Sequence, residues 1–437
     1  MMALHHKGKK DPTMIRIRLL LALTALLLAT TGCSVNQVTG ERQLSMPMSE
    51  QIALGSKQYM PAQQQQGGRY VVDPDLNVYV NRVGKAVAQP SPVNLPYEFV
   101  VLNSDIPNAW ALPGGKIAIN RGLLVLLEDE AQLAAVLGHE VVHAAAEHSA
   151  TQMRKQQILG VGVVLAGVAA TQSDNKSALL VATGAVVGAQ AYQAHYGRKQ
   201  ELQADDIGIN YMVAAGYDPR ASIELQETFV KLSAGGQSNF FSQLFASHPP
   251  SQNRVDRNRA KAEKLPTGKR NKAAFQRAIA QVKKDQPAYD LHAKALKAVG
   301  DKDYANALAL TNKAIKKQPN ESLFYVTKGQ LLAAQKNDKG ARDAFAKAAR
   351  LNPEYFMSQL GLGVSEVKLK NFSNAKQSLQ KSVKLLPTSL AIYNLGEIEE
   401  KQGNRQQAIE YYKQAATENS DIGKAAQQKL KTLGANQ

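Results

Sequence analysis

The chain has 437 residues, 44% of them hydrophobic, and a single cysteine, Cys33. That length allows two packed domains, and one cysteine excludes an intramolecular disulfide, so packing alone must hold the fold. Net charge is +17, and residues 251–437 carry the whole excess with 34 Lys/Arg against 17 Asp/Glu. Such an imbalance suits an acidic partner, an anionic lipid or a lysine-rich solvated helix surface. Without interleaved aromatics it gives no nucleic-acid interface, and none is expected.

At the N-terminus, Arg16 and Arg18 precede an apolar run from Leu19 to Ala29 that ends in Thr30-Thr31-Gly32-Cys33. Basic residues before a short apolar run read as a secretory signal, because a bilayer-spanning helix needs about 20 apolar residues. Residues 1–33 are therefore expected to be a signal peptide with a lipobox, with Met14 as an alternative start and Cys33 as the lipidated residue. Residues 34–70, rich in glutamine, read as a tether and a first helix.

From 71 to 265 the pattern is mixed. Tyr97–Leu102 and Lys116–Asn120 have the β-branching of short strands, and helical sequence is expected from Glu128 to about Lys155. Apolar stretches at Leu159–Ala170 and Ala178–Ala191 are too short to span a bilayer and are expected to form a packed helical hairpin. Pro266-Thr267-Gly268 opens an expected linker over 266–286.

Beyond it lies a repeat. Pro319, Pro353 and Pro387 recur every 34 residues, as do Ala307, Ala341 and Ala375, with Ala408 one short of the step. Seven residues after each alanine comes another small residue: Ala314, Ala348, Ser382 and Ala415. Gly329 and Gly363 keep the same period. That spacing is the signature of tetratricopeptide repeats, so 287–437 are expected to form an α-solenoid of about four repeats with a core of its own.

Chemistry concentrates at Gly138-His139-Glu140-Val141-Val142-His143. Residues four apart on a helix stack one turn above each other, so both imidazoles can hold one zinc ion, with Glu140 placed as general base. A catalytic zinc needs a third protein ligand. His148 is five residues past His143, about 140° further round a continuous helix, and is expected to face away as a surface or packing residue. Glu201, in Glu201-Leu-Gln-Ala-Asp205, is the better candidate, and Asp205 one turn on can accept a hydrogen bond from a ligating imidazole. Ordinary helix-surface charge is the alternative for that acidic pair.

His139–His143 followed by Glu201-xxx-Asp205, with Asn108-Ala-Trp-Ala-Leu-Pro113-Gly114-Gly115-Lys-Ile upstream and Ser247-His248-Pro249-Pro250 and Arg254 downstream, resembles the CaaX-prenyl-protease and heat-shock-protein-X type of zinc metallopeptidase. The resemblance covers roughly residues 50–260. A signal peptide with C-terminal repeats is similar to the periplasmic members of that family. The resemblance implies a mainly α chain: a zincin-like α+β metallopeptidase domain with a small sheet, then the solenoid. It implies one zinc ion per chain on His139, His143 and Glu201, Glu140 as base, and Asp205 and Arg254 behind the ligands. It also implies that Gly114, Gly115, Lys116, Ile117, Ala118 and Ile119 form an edge strand to which substrate adds. His248 would either stabilise the oxyanion or occupy zinc's open position, with a mobile loop before it at Phe240–Ala246. The expected setting is the periplasm, with a lipid anchor to the outer membrane. Unfolded or stalled outer-membrane proteins would be substrates, and the repeats would engage a partner such as the assembly machinery.

Overall fold

The computed structural model describes residues 33–154, 196–234 and 241–435. The leader and the apolar hairpin expected over 159–191 lie outside the described residues. The described chain opens with a hairpin of β1 (Cys33–Val35) and β2 (Arg42–Leu44), followed by α1 (Met48–Gln65) and α2 (Pro74–Ala88). Strands β3 (Glu98–Leu102), β4 (Ala109–Leu112) and β5 (Lys116–Asn120) come next, with a short turn of helix at Pro113–Gly115 between the last two. Then follow α3 (Arg121–Leu124), α4 (Glu130–Ala145), α5 (Arg198–Ala214), α6 (Arg220–Ala234), α7 (Ser242–Ser247) and α8 (Gln252–Ala262). Among the described residues, no helix is long and apolar enough to cross a membrane.

Strand order corrects one expectation. The sheet runs β3-β5-β4, with β5 parallel to β3 and antiparallel to β4. The stretch from Gly114 to Ile119 therefore supplies the inner strand, not an edge, and both of its sides are already hydrogen-bonded. The outer strands among the described residues are β3, whose far side takes Tyr70 N at Val101 O, and β4, a four-residue segment too short to show alternation.

Every residue of α4 is buried, as befits a helix apolar on all sides. Its start is fixed by Asp129, whose side chain accepts a hydrogen bond from Gln132 N at 2.9 Å. Helix α5 crosses it at Gly138 and Gly208: a Cβ on Gly208 would lie 3.1 Å from His139 N, and one on Gly138 would lie 3.2 Å from Gly208 O. Two residues without side chains let the backbones approach this closely with no displacement, and the crossing carries the acidic face of α5 over the histidines of α4.

The helix expected through Lys155 stops early. Ala146 ends α4, Glu147 takes a left-handed backbone with φ 59°, and helical structure resumes from 148. The N-terminal segment holds this break: Ser45 Oγ and Met46 N donate to Glu147 Oε2 at 2.7 and 3.2 Å, and Gln43 Nε2 donates to Ala146 O at 3.1 Å. Residues 43–46, within the stretch expected as a tether and first helix, are thus bound to the end of the metal-bearing helix.

Residues 266–286, expected as a linker, hold α9 (Lys272–Ala278) and the start of α10 (Ala280–Gly300). Four helix pairs begin with α10 and continue through α11 (Tyr304–Lys317), α12 (Ser322–Ala334), α13 (Asp338–Leu351), α14 (Phe356–Lys368), α15 (Phe372–Leu385), α16 (Ser389–Lys401) and α17 (Arg405–Ala415), and α18 (Asp421–Thr432) covers the end. The alanines at 307, 314, 341, 348, 375, 408 and 415 and Ser382 have no exposed surface, because they stand where paired helices touch. Gly329 and Gly363 face Phe345 and Leu379. The turns repeat as well: Lys302, Lys336, Lys370 and Gly403 have φ between 60° and 79°, each followed by the Asp or Asn that begins the next helix.

The expectation of separate cores also needs correction. Phe275, Ile279, Val282, Tyr289, Ala314 and Phe324 belong to the same apolar cluster as the sheet and α4. Buried Glu321, at the start of α12, accepts from Asn103 Nδ2 at 2.9 Å and Tyr289 OH at 2.6 Å. Arg121 donates to Asn103 Oδ1 at 3.0 Å and lies over the Tyr289 ring, 3.3 Å from its centroid. Gln64 on α1 spans the junction further on, donating to Glu354 O and accepting from Phe356 N. The first repeat is welded to the first domain by burial and by a satisfied polar network.

Candidate metal centre

Four ligand-type side chains converge. His139 and His143 project from one face of α4, Glu201 reaches in from α5, and His248 follows α7; their donor atoms all lie within 4.8 Å of one another and all four residues are buried. His143 Nε2 is 3.0 Å from His139 Nε2 and 3.2 Å from Glu201 Oε1, and Glu201 Oε2 is 3.5 Å from His139 Nε2. His248 Nδ1 lies 3.1 Å from Glu201 Oε1 and 3.2 Å from His139 Nε2.

The hydrogen bonds outside this cluster fit a metal ion. His139 Nδ1 is 2.9 Å from Asp205 Oδ1, so that nitrogen carries the proton and Nε2 faces inward with its lone pair. Asp205 is clamped by Arg254, whose Nε and Nη2 donate to its two oxygens at 2.6 and 2.7 Å, while Arg254 Nη1 lies 2.8 Å from Glu201 Oε2. One guanidinium thus fixes both buried acidic residues of α5. Two imidazole lone pairs and a carboxylate aimed at one point, with nothing apolar between them, is a donor set suited to zinc.

Electrostatics agree. Burial works against charge on His139, but the Glu201 carboxylate and the Asp205 hydrogen bond outweigh it and raise the ring's pKa to about 10, so the pocket favours a cation. Burial holds His143 well below its usual value, in the neutral form that binds metal. Burial also raises the Glu140 carboxyl above the ordinary range, which suits a group that takes up and releases a proton. Glu140 Oε1 is 3.3 Å from His248 Nε2, and Glu140 Oε2 is buried without a hydrogen-bond partner among the described residues.

Two placements differ from the sequence reading. His148 does not face away: it is buried, and its Nδ1 lies 3.0 Å from His143 Nδ1. The helical-wheel argument assumed a helix that continued past Ala145, whereas the break at Ala146–Glu147 turns His148 back onto His143. The mobile loop expected at Phe240–Ala246 is, over its described part, the helix α7, anchored by the buried Phe241, which stacks on Phe245 at 5.5 Å. Tyr196, which the sequence reading passed over, stacks on His143 with ring centroids 3.6 Å apart.

Residues 73–262 match the family model described as peptidase family M48, and residues 292–356 and 390–422 match tetratricopeptide repeat models. The chain is 30% identical over 226 residues to the "Beta-barrel assembly-enhancing protease" of Yersinia pestis, covering 49% of this chain and 45% of that protein. It is 29% identical over 198 residues to the protein of the same name from Escherichia coli (strain K12), covering 43% and 39%. It is 34% identical over 179 residues to the "Mitochondrial metalloendopeptidase OMA1" of Schizosaccharomyces pombe (strain 972 / ATCC 24843), covering 41% and 50%. The chain thus spans half or less of the length of these relatives. The matched residues include the whole of the convergent donor set, and the chain carries a peptidase family M48 domain joined to tetratricopeptide repeats.

Proposed function

We propose that the chain is a zinc-dependent metalloendopeptidase acting on unfolded or stalled proteins at the periplasmic side of the outer membrane. It is held there by a lipid on Cys33, and its repeats receive a client or partner. The observation that carries the peptidase reading is the buried cluster of His139, His143 and Glu201 with the unpartnered Glu140 Oε2 beside it. The setting and substrate class rest on the leader sequence and on the names of the bacterial relatives.

Zinc held by His139, His143 and Glu201 would supply a Lewis acid that polarises the scissile carbonyl and lowers the pKa of water so that it can be deprotonated to the nucleophile. Glu140 takes the proton of the attacking water, keeps it in a desolvated pocket, and hands it to the leaving amine. Asp205 and Arg254 hold His139 and Glu201 in orientation, so the donor set does not reorganise between steps.

Substrate would lie along β4. Asn120 N donates to Asn108 O, so in this antiparallel pair Asn108, Trp110 and Leu112 bond to β5, while Ala109 and Ala111 turn their backbone groups outward. Ala111 O already takes Ser149 Oγ at 2.9 Å. Ala109 lines the same cavity as His139 and Glu140, so an extended peptide adding at this edge passes the metal. Val136, Met212, Leu225, Phe229 and Leu244 form the apolar wall of that cavity, a place for one substrate side chain.

A repeat-based scaffold or chaperone with a latent peptidase is the second reading, and one observation favours it. His248 Nδ1 stands among the metal-facing atoms, where it would fill the fourth position. Zinc content tests the site common to both readings. Purified protein is expected to hold about one zinc per chain, and a His139→Ala/His143→Ala variant none. Elemental analysis showing full zinc retention in that variant would remove the assignment.

A further inference from the structure

His139 and His143 are both metal-facing, yet their outer nitrogens meet different partners. The partner of His139 is the Asp205 carboxylate, an acceptor by its chemistry. For His143 the Nδ1 contact is another imidazole nitrogen, Nδ1 of His148, at 3.0 Å and shielded from water on both sides. Two ring nitrogens at that distance need one proton between them, one donating and one accepting. If His143 Nε2 offers its lone pair to the metal, its Nδ1 must carry the hydrogen. That leaves His148 Nδ1 as the acceptor and puts the proton of His148 on Nε2, a buried atom, with the Gln203 side chain as the hydrogen-bonding group beside the ring. The tautomers of both rings follow from one choice.

The surroundings leave His148 little freedom. The left-handed residue before it, Glu147, is fixed by Ser45 and Met46, and the residue after it, Ser149, donates to Ala111 O on β4. Tyr196 covers the face of His143 and reaches Ser149 Oγ through its hydroxyl at 2.8 Å. His143 is therefore held at its outer nitrogen by His148 and across its face by Tyr196, with Nε2 as the atom left to face inward.

We propose that His148 is the positioning residue for His143: its Nδ1 accepts the hydrogen bond of His143 Nδ1 and so keeps the His143 Nε2 lone pair aimed at the zinc. The proposal rests on the zinc-site reading above. An imidazole does this without adding negative charge to a pocket that already holds Glu140, Glu201 and Asp205 against Arg254. A second carboxylate there would add to the burial cost of charge.

The test is a competition for zinc between the full chain and a chromophoric chelator, run on wild type, His148→Asn and His148→Leu, with thermal melts of the zinc-free proteins alongside. Asparagine places an amide oxygen near the position of Nδ1 and restores an acceptor; leucine fills space without one. Loss of an outer hydrogen bond of this kind weakens metal binding about 10–100-fold. His148→Leu is expected to show that loss, with His148→Asn close to wild type. Leucine binding zinc as tightly as wild type, or more tightly than asparagine, would overturn the proposal and leave His148 a packing residue. Should leucine fail to fold, asparagine decides: a drop of 10-fold or more with a normal zinc-free melt overturns it, and near-wild-type affinity supports it. A wild type that binds no zinc overturns both this proposal and the peptidase reading, whereas a wild type that binds while the ranking fails overturns this one alone.

Discussion

Replacing Glu140 by glutamine is expected to lower hydrolysis of an unfolded protein by about 10²–10⁴-fold, the range for removing a positioned general base, while zinc stays bound. The distinction from a ligand variant is geometric. Among the described residues, Glu140 contributes no atom to the cluster of His139, His143, Glu201 and His248, and its Oε2 has no hydrogen-bond partner to lose. Glutamine keeps the shape of the side chain and removes only its capacity to accept a proton. Because burial raises the Glu140 carboxyl, the acid limb of the wild-type activity profile should lie above the usual glutamate range. Activity should be lost as pH falls through that limb, since the base is then already protonated. Turnover by Glu140→Gln within a few-fold of wild type at equal zinc content would remove Glu140 from the mechanism.

Replacing His248 by alanine is expected to raise basal cleavage, by about 10–100-fold if the open form of the site is populated at 1–10%. The reason is the position of Nδ1, 3.1 Å from Glu201 Oε1 and 3.2 Å from His139 Nε2, where an imidazole competes for the site that water and substrate need. Release requires α7 to move, since His248 N is hydrogen-bonded to Leu244 O at 2.7 Å and Pro249-Pro250 stiffen the chain after it. The competing role follows from the other ring nitrogen, 3.3 Å from Glu140 Oε1, which would place a donor near the developing oxyanion. Under that role the same substitution lowers turnover by about 10²–10³-fold. The two outcomes have opposite signs, and preparations matched for zinc separate them from a loss of metal affinity.

The parts of this arrangement that were legible in the sequence are those set by local period. His139 and His143 share a helix face because they are four apart, and Glu201 and Asp205 do so for the same reason. The 34-residue recurrence of small residues marks the helix contacts of the repeats, since a solenoid repeats its packing along with its sequence. The left-handed Lys302, Lys336 and Lys370, each before an Asp or Asn, were a further periodic signal that went unread.

What was not legible is non-local. The break after Ala145 has no proline or glycine to announce it; the bonds that hold it come from Ser45 and Met46, about a hundred positions away in sequence. Without it His148 is placed on the wrong side. Strand order is hidden because β4 is only four residues long and shows no alternation, so nothing local in the sequence places a strand outside β5, which the family resemblance makes the edge. Pro266-Thr-Gly268 reads as a domain junction, yet Lys269 bridges Tyr217 and Arg270 pairs with Asp129 and Glu224, which docks the turn on the peptidase domain. Turn composition marks where a chain bends but not what the bend packs against.

The measurement that most directly tests the central claim is cleavage of an unfolded protein such as casein by the purified chain, before and after metal removal and again after zinc is restored. A His248→Ala sample should be included so that a resting site is not mistaken for an inactive one. The account predicts cleavage that disappears with the metal, returns with about one zinc per chain, and stays absent throughout in Glu140→Gln. Cleavage that survives full metal removal, or its absence from zinc-loaded wild type and His248→Ala alike, would contradict it.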